Sequence, residues 1–168
     1  IGLWDPTSPI RLKVLHAGAP ATIDADWWRA RLAEALDRRS SLAADADTTG
    51  YRCVHGENDG LPGLVVDRYD ATLVVMFYSR AWFPNLSIVV ELLLALLAPE
   101  RVVLRLSRSV AARDTFGLAD GDTIVGSAPN QPVFFRERGL VFEADVVRGQ
   151  KTGHFLDQRD NRALVRGM

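Results

Sequence analysis

Hydrophobic and polar positions alternate over several short stretches of this chain, a pattern typical of β-strands that bury one face. Runs rich in β-branched and aromatic residues predict strands over 51–55, 64–69, 72–78 and 102–107. Two further alternating runs over 132–147 predict a hairpin, because Arg138-Gly139 between them suits a tight turn. The segment 108–131 is polar and contains glycine, so a surface loop or lid is expected there.

Two other segments have the apolar spacing of α-helices. One is a wide apolar stripe that follows Pro84 and runs to about residue 98. The other covers roughly 25–40, where Asp24 or Asp26 can serve as the N-cap. The segment 40–50 that follows is small and polar, which makes it the best candidate for a domain boundary or linker.

The order of these elements predicts the fold class. Apolar positions over 10–15 alternate with Arg11 and Lys13, which predicts an early strand with one mostly basic face. The middle of the chain then runs strand-strand-strand-helix-strand-strand-strand. This order predicts an α+β fold, in which a mostly antiparallel sheet has one main helix packed on it.

Composition narrows the class of protein. The chain has 168 residues, a formal net charge of −1 and 48% hydrophobic residues, as in a globular domain. Its longest apolar runs, near 86–98, are shorter than the ~20 residues that cross a bilayer, so no membrane partner is expected. Cys53 is the only cysteine, which excludes a disulfide scaffold. A single free cysteine and the lack of a signal peptide in the sequence together favour the reducing cytoplasm. Since the chain starts at Ile1 and stops at Met168 within a predicted helix, we expect a piece of a longer protein.

Charge is concentrated at the C-terminal end. Residues 148–168 carry five cations against two carboxylates, a net charge of +3. A glycine-containing loop precedes a helix that Asp157 can cap, with Asp160 as the capping-box partner. Free backbone N–H groups beside planar cations suit an anion, a nucleotide or an RNA backbone. The alternative is a solvated, charged first helical turn, and the spacing alone favours it.

The other polar residues are better explained by structure than by chemistry. Glu57, Asp59 and Asp67 could be metal ligands, but they lie among turn residues, and Asp67 is expected to open the next hairpin turn. No metal site is therefore predicted, and the scattered histidines form no zinc motif. Cys53 is expected to be a buried structural thiol. No GxGxxG or Walker loop occurs, so the chain has no recognisable nucleotide-binding core of its own.

Three stretches carry a resemblance to a known family: WDPTSPIRLKVL (4–15), GENDGLPGLVVDRYD (56–70) and GQKTGHFLDQRDNR (149–162). They resemble the bacterial S-adenosylmethionine-dependent methyltransferases of large-subunit ribosomal RNA. That family has a PUA-like domain, a central α+β domain and a Rossmann-like methyltransferase domain. The resemblance implies three parts here: the end of a PUA-like domain with a linker helix over 1–45, the central domain over 46–147, and a lead-in to the methyltransferase domain over 148–168.

The resemblance also implies an activity, which is methyl transfer to 23S ribosomal RNA, often at carbon 5 of a cytosine. That reaction needs a cysteine nucleophile, an acid and the sulfonium methyl in line. In the family these groups lie downstream of the segment that 149–162 resembles, so we expect the nucleophile beyond Met168 and no catalytic residue in this chain. Cys53 does not match it. The chain alone is expected to be inactive and to bind S-adenosylmethionine only weakly.

By resemblance, seven residues would border the cofactor and substrate cleft: Lys151, Thr152, Phe155, Asp157, Gln158, Arg159 and Arg162. Phe155 would pack on the cofactor, whereas Gln158 and Arg159 would bind its polar ends or an RNA phosphate. His154 stands where the family usually has an aromatic residue. The oligomeric state stays open, with a dimer among the alternatives.

Two alternatives remain from the residues alone. The chain could be a non-catalytic RNA-binding or interaction module, in which Arg11, Lys13, the arginines of the 25–40 helix and the C-terminal cations form one basic surface. It could also be a structural domain whose exposed end docks a partner.

Overall fold

A computed structural model describes residues 1–166 of the chain. In this range the strands are β1 (Gly2–Trp4), β2 (Leu12–Val14), β3 (Gly50–His55), β4 (Leu64–Tyr69), β5 (Thr72–Phe77), β6 (Arg101–Leu106), β7 (Thr123–Val125), β8 (Val133–Glu137) and β9 (Leu140–Ala144). The α-helices are α1 (Ala25–Asp37), α2 (Ser40–Ala43), α3 (Leu86–Leu97), α4 (Arg108–Ala111) and α5 (Arg159–Arg166). Short 3₁₀ turns cover Gly56–Asp59, Arg80–Asn85 and Leu156–Gln158.

The centre of the fold is a five-stranded sheet in the order β3-β4-β5-β6-β7. Neighbouring strands are antiparallel except β5 and β6, which run parallel with Val74 opposite Val103. A parallel pair needs a crossover connection, and α3 supplies it. The predicted α+β class, with a mostly antiparallel sheet and one main helix, is confirmed.

The strands at the end of the sheet differ from the prediction. The hairpin β8–β9 forms a sheet of its own and does not extend the central one, whose last strand is β7. Both β7 and α4 lie within 108–131, which was expected to be a loop or lid. Each has only three or four residues, too few for the apolar period to stand out from polar neighbours.

The two faces of the sheet bury different partners. Alternate residues such as Leu73, Val75 and Phe77 face α1 and α3, where Trp28 and Leu93 join the same core. The helix α1 begins as predicted, because the Asp24 carboxylate accepts a hydrogen bond of 2.9 Å from the Trp27 N–H. On the opposite face, Tyr69, Val74 and Val103 pack with the β8–β9 hairpin and the C-terminal end, through Phe135, Ala144 and Leu156.

The early strand forms over Leu12–Val14, but the face that carries Lys13 turns towards the core and the apolar face is exposed. It pairs with the unpredicted β1 so that Leu3 lies opposite Lys13. Leu3 is buried in the core, and Lys13 on the same face of the ribbon is half-buried, with its alkyl stem beside Gly63. The apolar Leu12 and Val14 are exposed instead. A two-stranded ribbon buries one face only, and the register assigns that face to Leu3 and Lys13.

The segment 40–50 is ordered and connects two parts of the fold. After α2, the Thr49 N–H donates to the Arg136 carbonyl at 2.9 Å, and the Gly139 N–H donates to the Asp47 carbonyl at 2.9 Å. Since α1 also shares its core with the sheet, the expected boundary between 45 and 46 crosses a packed unit. The three-part domain division stays a prediction.

The helical stretch Arg80–Leu97 is long and apolar enough, by length and composition alone, to cross a membrane. Its α-helical part, α3, has 12 residues, or about 18 Å at the usual rise, against a hydrocarbon core of about 30 Å. Val89, Leu92 and Leu93 are buried in the core of the protein. The core helix of a soluble protein passes the same test, so this stretch is weak evidence for a membrane.

Candidate functional site

The C-terminal segment, defined here as residues 145–166, covers the face of the sheet opposite α1 and α3. Asp145 organises its first loop: the carboxylate accepts the N–H groups of Val147 and Arg148 at 3.1 and 2.9 Å, and the carbonyl accepts the Gly149 N–H. A Cβ at Gly149 or Gly153 would crowd this carbonyl. The glycines that first suggested a ligand loop therefore allow a tight turn around Asp145.

A buried polar network joins this segment to the sheet. Asp67 is fully buried and accepts two hydrogen bonds from Arg52, at 2.8 and 3.0 Å. The Thr152 hydroxyl donates to the same carboxylate at 2.5 Å. Because its one proton is used there, the Thr152 oxygen accepts from the Tyr69 hydroxyl at 2.9 Å. Burial, helped by the Asp67 charge, raises the pKa of Tyr69 above its usual range, so the phenol stays a donor.

The network corrects the expectation for Asp67. This residue does not open a turn; it lies within β4 and points to the same face as Tyr69. The turn comes at Asp70, which has a φ of 55°. Asp59 is likewise paired within the chain, since its carboxylate accepts hydrogen bonds from Arg38 and Arg39 at 3.1 and 2.8 Å. The available signal was a carboxylate inside a short apolar strand, where burial requires a cationic partner.

Three of the seven predicted cofactor residues bind other parts of the fold through their polar groups. Thr152 is fully buried in the network described above. Arg162 donates to both oxygens of the buried Glu137 at 2.8 and 2.6 Å, which raises the pKa of the guanidinium, and donates to the Phe155 carbonyl. Arg159 donates to the Thr48 hydroxyl at 3.1 Å and lies 3.8 Å from Asp45. These contacts fasten α5 to the hairpin and to the segment after α2.

A second group of three faces solvent. The Lys151 ammonium lies 4.4 Å from the centre of the Phe155 ring and donates to both Asp157 oxygens, at 2.9 and 3.0 Å. The hydrogen bond from Lys151 lowers the pKa of Asp157. Asp157 therefore binds a lysine, and α5 begins two residues later, at Arg159, instead of directly after Asp157. Phe155 remains 41% exposed and available for contact.

The seventh residue, Gln158, lies in the wall of an open, mainly apolar groove between the hairpin and α5. The groove holds about 530 Å³ and is also lined by Leu140, Phe142 and Val165. Of the predicted residues, Gln158 and Arg162 line this groove. Lys151 and Phe155 form a separate exposed pair.

The predicted RNA-binding residues lie apart from this segment. Arg11 is exposed beside β2, and Lys13 lies within it. The ribbon joins the core on the α1 and α3 side of the sheet through Leu3, whereas the C-terminal segment covers the other side. Their RNA contacts stay a prediction.

Cys53 is placed as predicted for a structural thiol. Its side chain is fully buried among the apolar residues that face α1 and α3. Burial raises the pKa of the thiol to about 12, so almost none of it is thiolate at neutral pH. This cysteine has neither the exposure nor the charge state of a nucleophile.

Comparisons with known proteins show which proteins have a similar sequence or fold. No family model matches the chain. It is 54% identical over 173 residues, covering all of this chain, to a ribosomal RNA large subunit methyltransferase of Deinococcus radiodurans. It is 38% identical over 98% of its length to ribosomal RNA large subunit methyltransferase I of Shewanella frigidimarina. The chain's homologues thus include ribosomal RNA methyltransferases, of which it covers 42% and 41% of the length, respectively.

Solved structures share the fold. A protein of Streptococcus mutans described as a SAM-dependent methyltransferase aligns with a TM-score of 0.73 at 18% identity, over 88% of this chain and 37% of its own. A second structure, described as that of a methyltransferase complexed with SAH, aligns with a TM-score of 0.72 at 19% identity, over 86% of this chain and 36% of its own. At these identities the likeness concerns the fold.

Proposed function

We propose that this chain is the N-terminal and central portion of an S-adenosylmethionine-dependent methyltransferase that acts on large-subunit ribosomal RNA. The observation that carries the proposal is the 54% identity to such a methyltransferase over the whole chain. In more detail, we propose that the methyl acceptor is carbon 5 of a cytosine in 23S RNA and that the enzyme works in the cytoplasm. The PUA-like and methyltransferase domains belong to the same proposal.

Within that enzyme the chain's own residues would position the reacting parts. Attack on a cytosine ring needs a thiolate, and the buried Cys53 cannot supply one. The nucleophile and the main cofactor contacts would therefore come from residues outside these 168. The C-terminal segment would form one wall of the cofactor cleft, with Phe155, Lys151 and Gln158 facing it. Thr152, Arg159 and Arg162 would hold that wall in place, since their polar groups are bonded to the body of the fold.

The test is a deletion of the gene in its own organism. We expect mass spectrometry of 23S RNA to show the loss of one methylated cytosine, and a plasmid copy of the full gene to restore it. Unchanged RNA methylation in the deletion strain would contradict the proposal.

A second measurement tests whether the main cofactor contacts come from residues outside this chain. Isothermal titration of the 168-residue chain with S-adenosylmethionine is expected to show no binding in the micromolar range, because the chain offers one wall of a site. A micromolar isotherm would show that the chain contains a complete cofactor pocket.

A further inference from the structure

A second cleft lies at the carboxyl ends of the two parallel strands, away from the C-terminal segment. Tyr78 directly follows β5, and Ser109 belongs to α4, which starts two residues after β6. The loop after β1 forms the remaining wall. The cleft holds about 260 Å³, and its lining includes Thr7, Tyr78, Arg80, Ser109 and Arg113.

The topology makes this edge of the sheet a place where a ligand can enter. The strands β5 and β6 are parallel, and each is flanked by an antiparallel neighbour. Open α/β sheets bind their ligands outside the carboxyl ends of the strands, and here the residues after β5 and the helix α4 after β6 both line the cleft at that edge. The crevice here is closed on one side by the loop between β1 and β2.

A buried carboxylate fixes that loop against the sheet. Asp5 is 3% exposed and accepts four hydrogen bonds. Two come from the Thr7 N–H and hydroxyl, at 3.1 and 2.7 Å, one from the Ser79 hydroxyl at 2.8 Å, and one from the Arg80 N–H at 3.0 Å. These hydrogen bonds lower the pKa of Asp5 against the opposing effect of burial. The loop after β1 is therefore held in place, and both oxygens of the Asp5 carboxylate accept hydrogen bonds within the chain.

The other charged and ring side chains at the cleft are cationic and aromatic. Within residues 1–166, Arg113 is exposed, and its side chain makes no hydrogen bond or ion pair. Tyr78 is 46% exposed. Arg80 donates to the Asp114 carbonyl at 2.8 Å, lies 3.5 Å from the Asp114 carboxylate, and stacks over the exposed Phe116 ring at 5.6 Å.

We propose that this cleft binds a nucleotide of single-stranded RNA, with a base stacked on Tyr78 and a phosphate held by Arg113. The proposal rests on the RNA substrate proposed above and extends it to a cleft whose lining contains no residue of the C-terminal segment. Aromatic faces and unpaired arginines are the groups with which proteins bind unstacked bases and the RNA backbone. The volume suits one base or phosphate group and is below the roughly 300 Å³ at which pockets for larger ligands begin.

The experiment measures RNA binding by the 168-residue chain directly, without methyl transfer. The probe is a fluorescein-labelled single-stranded RNA of about 12 nucleotides, followed by fluorescence anisotropy. We expect Tyr78→Ala to weaken binding about tenfold, whereas Tyr78→Phe keeps the ring and the affinity. Arg113→Ala is expected to weaken binding and to reduce the slope of log affinity against log salt by about one. Arg113→Lys, which keeps the positive charge, is the matched control and should leave both the affinity and the salt slope close to the wild-type values.

The outcomes separate this site from the function of the whole enzyme. If Tyr78→Ala and Arg113→Ala bind RNA like the wild type, the cleft is not an RNA site, even if the deletion strain has lost its methylated cytosine. Failure of the wild-type chain to bind the probe overturns the assignment as well. If uridine monophosphate competes as strongly as the RNA, the cleft is a mononucleotide site and the RNA assignment is wrong. Circular dichroism of each variant verifies that the fold is intact.

Discussion

The Thr152 hydroxyl donates a hydrogen bond of 2.5 Å to Oδ2 of Asp67, although the two residues are 85 positions apart. This contact places the C-terminal segment on the sheet. Asp67 is also bonded to Arg52, and Thr152 also accepts from Tyr69, so four side chains share one buried network. Such networks are costly when any member loses its partner.

The first prediction concerns the hydroxyl of Thr152. Thr152→Val keeps the shape but leaves the Asp67 oxygen and the Tyr69 hydroxyl without this partner. We expect a loss of about 1–3 kcal/mol in the free energy of unfolding, measured by urea denaturation. Thr152→Ser should recover most of it. The control, Thr22→Val at an exposed position, should stay within about 0.5 kcal/mol of the wild type; an equal loss in both variants would contradict the network's role.

The second prediction is a pH dependence that comes from His154. Its ring lies 5.0 and 5.3 Å from the Phe135 and Phe142 rings, and burial, with the charge of Arg162, lowers its pKa from 6.5. Glu137 acts in the opposite direction. The unfolded state therefore binds a proton more readily than the folded state does, and stability falls as the pH drops below 6.5.

The measurement is the free energy of unfolding from pH 7.5 to pH 5, compared with His154→Phe. This variant keeps a ring between the two phenylalanines and removes the titrating group, so its stability should be less dependent on pH in that window. The carboxylates with lowered pKa, such as Asp59, lose their contribution only as the pH falls below about 3.8. Equal slopes for the two proteins would contradict the assignment to His154.

The third prediction is that Cys53 is inert in the folded chain. Because the thiol is fully buried and its pKa is about 12, a thiol reagent such as Ellman's reagent should react only at the rate of unfolding. Urea, which unfolds the chain, should expose the thiol and make its labelling fast. Cys53→Ala in the full-length enzyme should keep methyl transfer. Rapid labelling under native conditions, or loss of methyl transfer in a folded variant, would contradict the structural role of Cys53.

The fourth prediction tests how closely the hairpin approaches the sheet. A Cβ at Gly50 would overlap the Phe135 ring, and this ring also packs on Tyr69 at 5.1 Å. Gly50→Ala should therefore destabilise the chain by about 1–3 kcal/mol through overpacking. In a double-mutant cycle with Phe135→Leu, the two losses should not add, since the smaller side chain makes room. Additive losses would mean that Gly50 acts through its backbone alone.

The sequence was most informative where structure is local. The strands β4 and β5 follow from runs of β-branched and aromatic residues, and the helices α1 and α3 from the period of 3.6 and from caps such as Asp24. The sequence predicted the pairing of the strands less well. The strands β1 and β7 have only three residues each, which is too short for a recognisable pattern. The sequence of 132–147 also does not show that its hairpin forms a sheet of its own. Strand pairing depends on contacts between distant residues, which a local pattern does not contain.

At the candidate site, too, the sequence indicated the type of segment but not the role of each residue. The composition of 148–168 marked it as polar, cationic and rich in glycine, but the use of each group depends on its neighbours in space. Arg162 is bound to Glu137, 25 positions earlier, whereas Phe155 is exposed. No motif distinguishes them, because both lie in the same stretch of sequence.

The sequence by itself determined the α+β class, the main helices and most of the strands, and the likeness to ribosomal RNA methyltransferases. It did so because backbone periodicity and long ordered motifs are properties of neighbouring residues. Only the tertiary structure decided that Asp67 is a buried anchor and that Thr152 is its partner. It also decided that Tyr78 and Arg113 share a cleft, since a buried charge and an open crevice arise only when distant segments pack together.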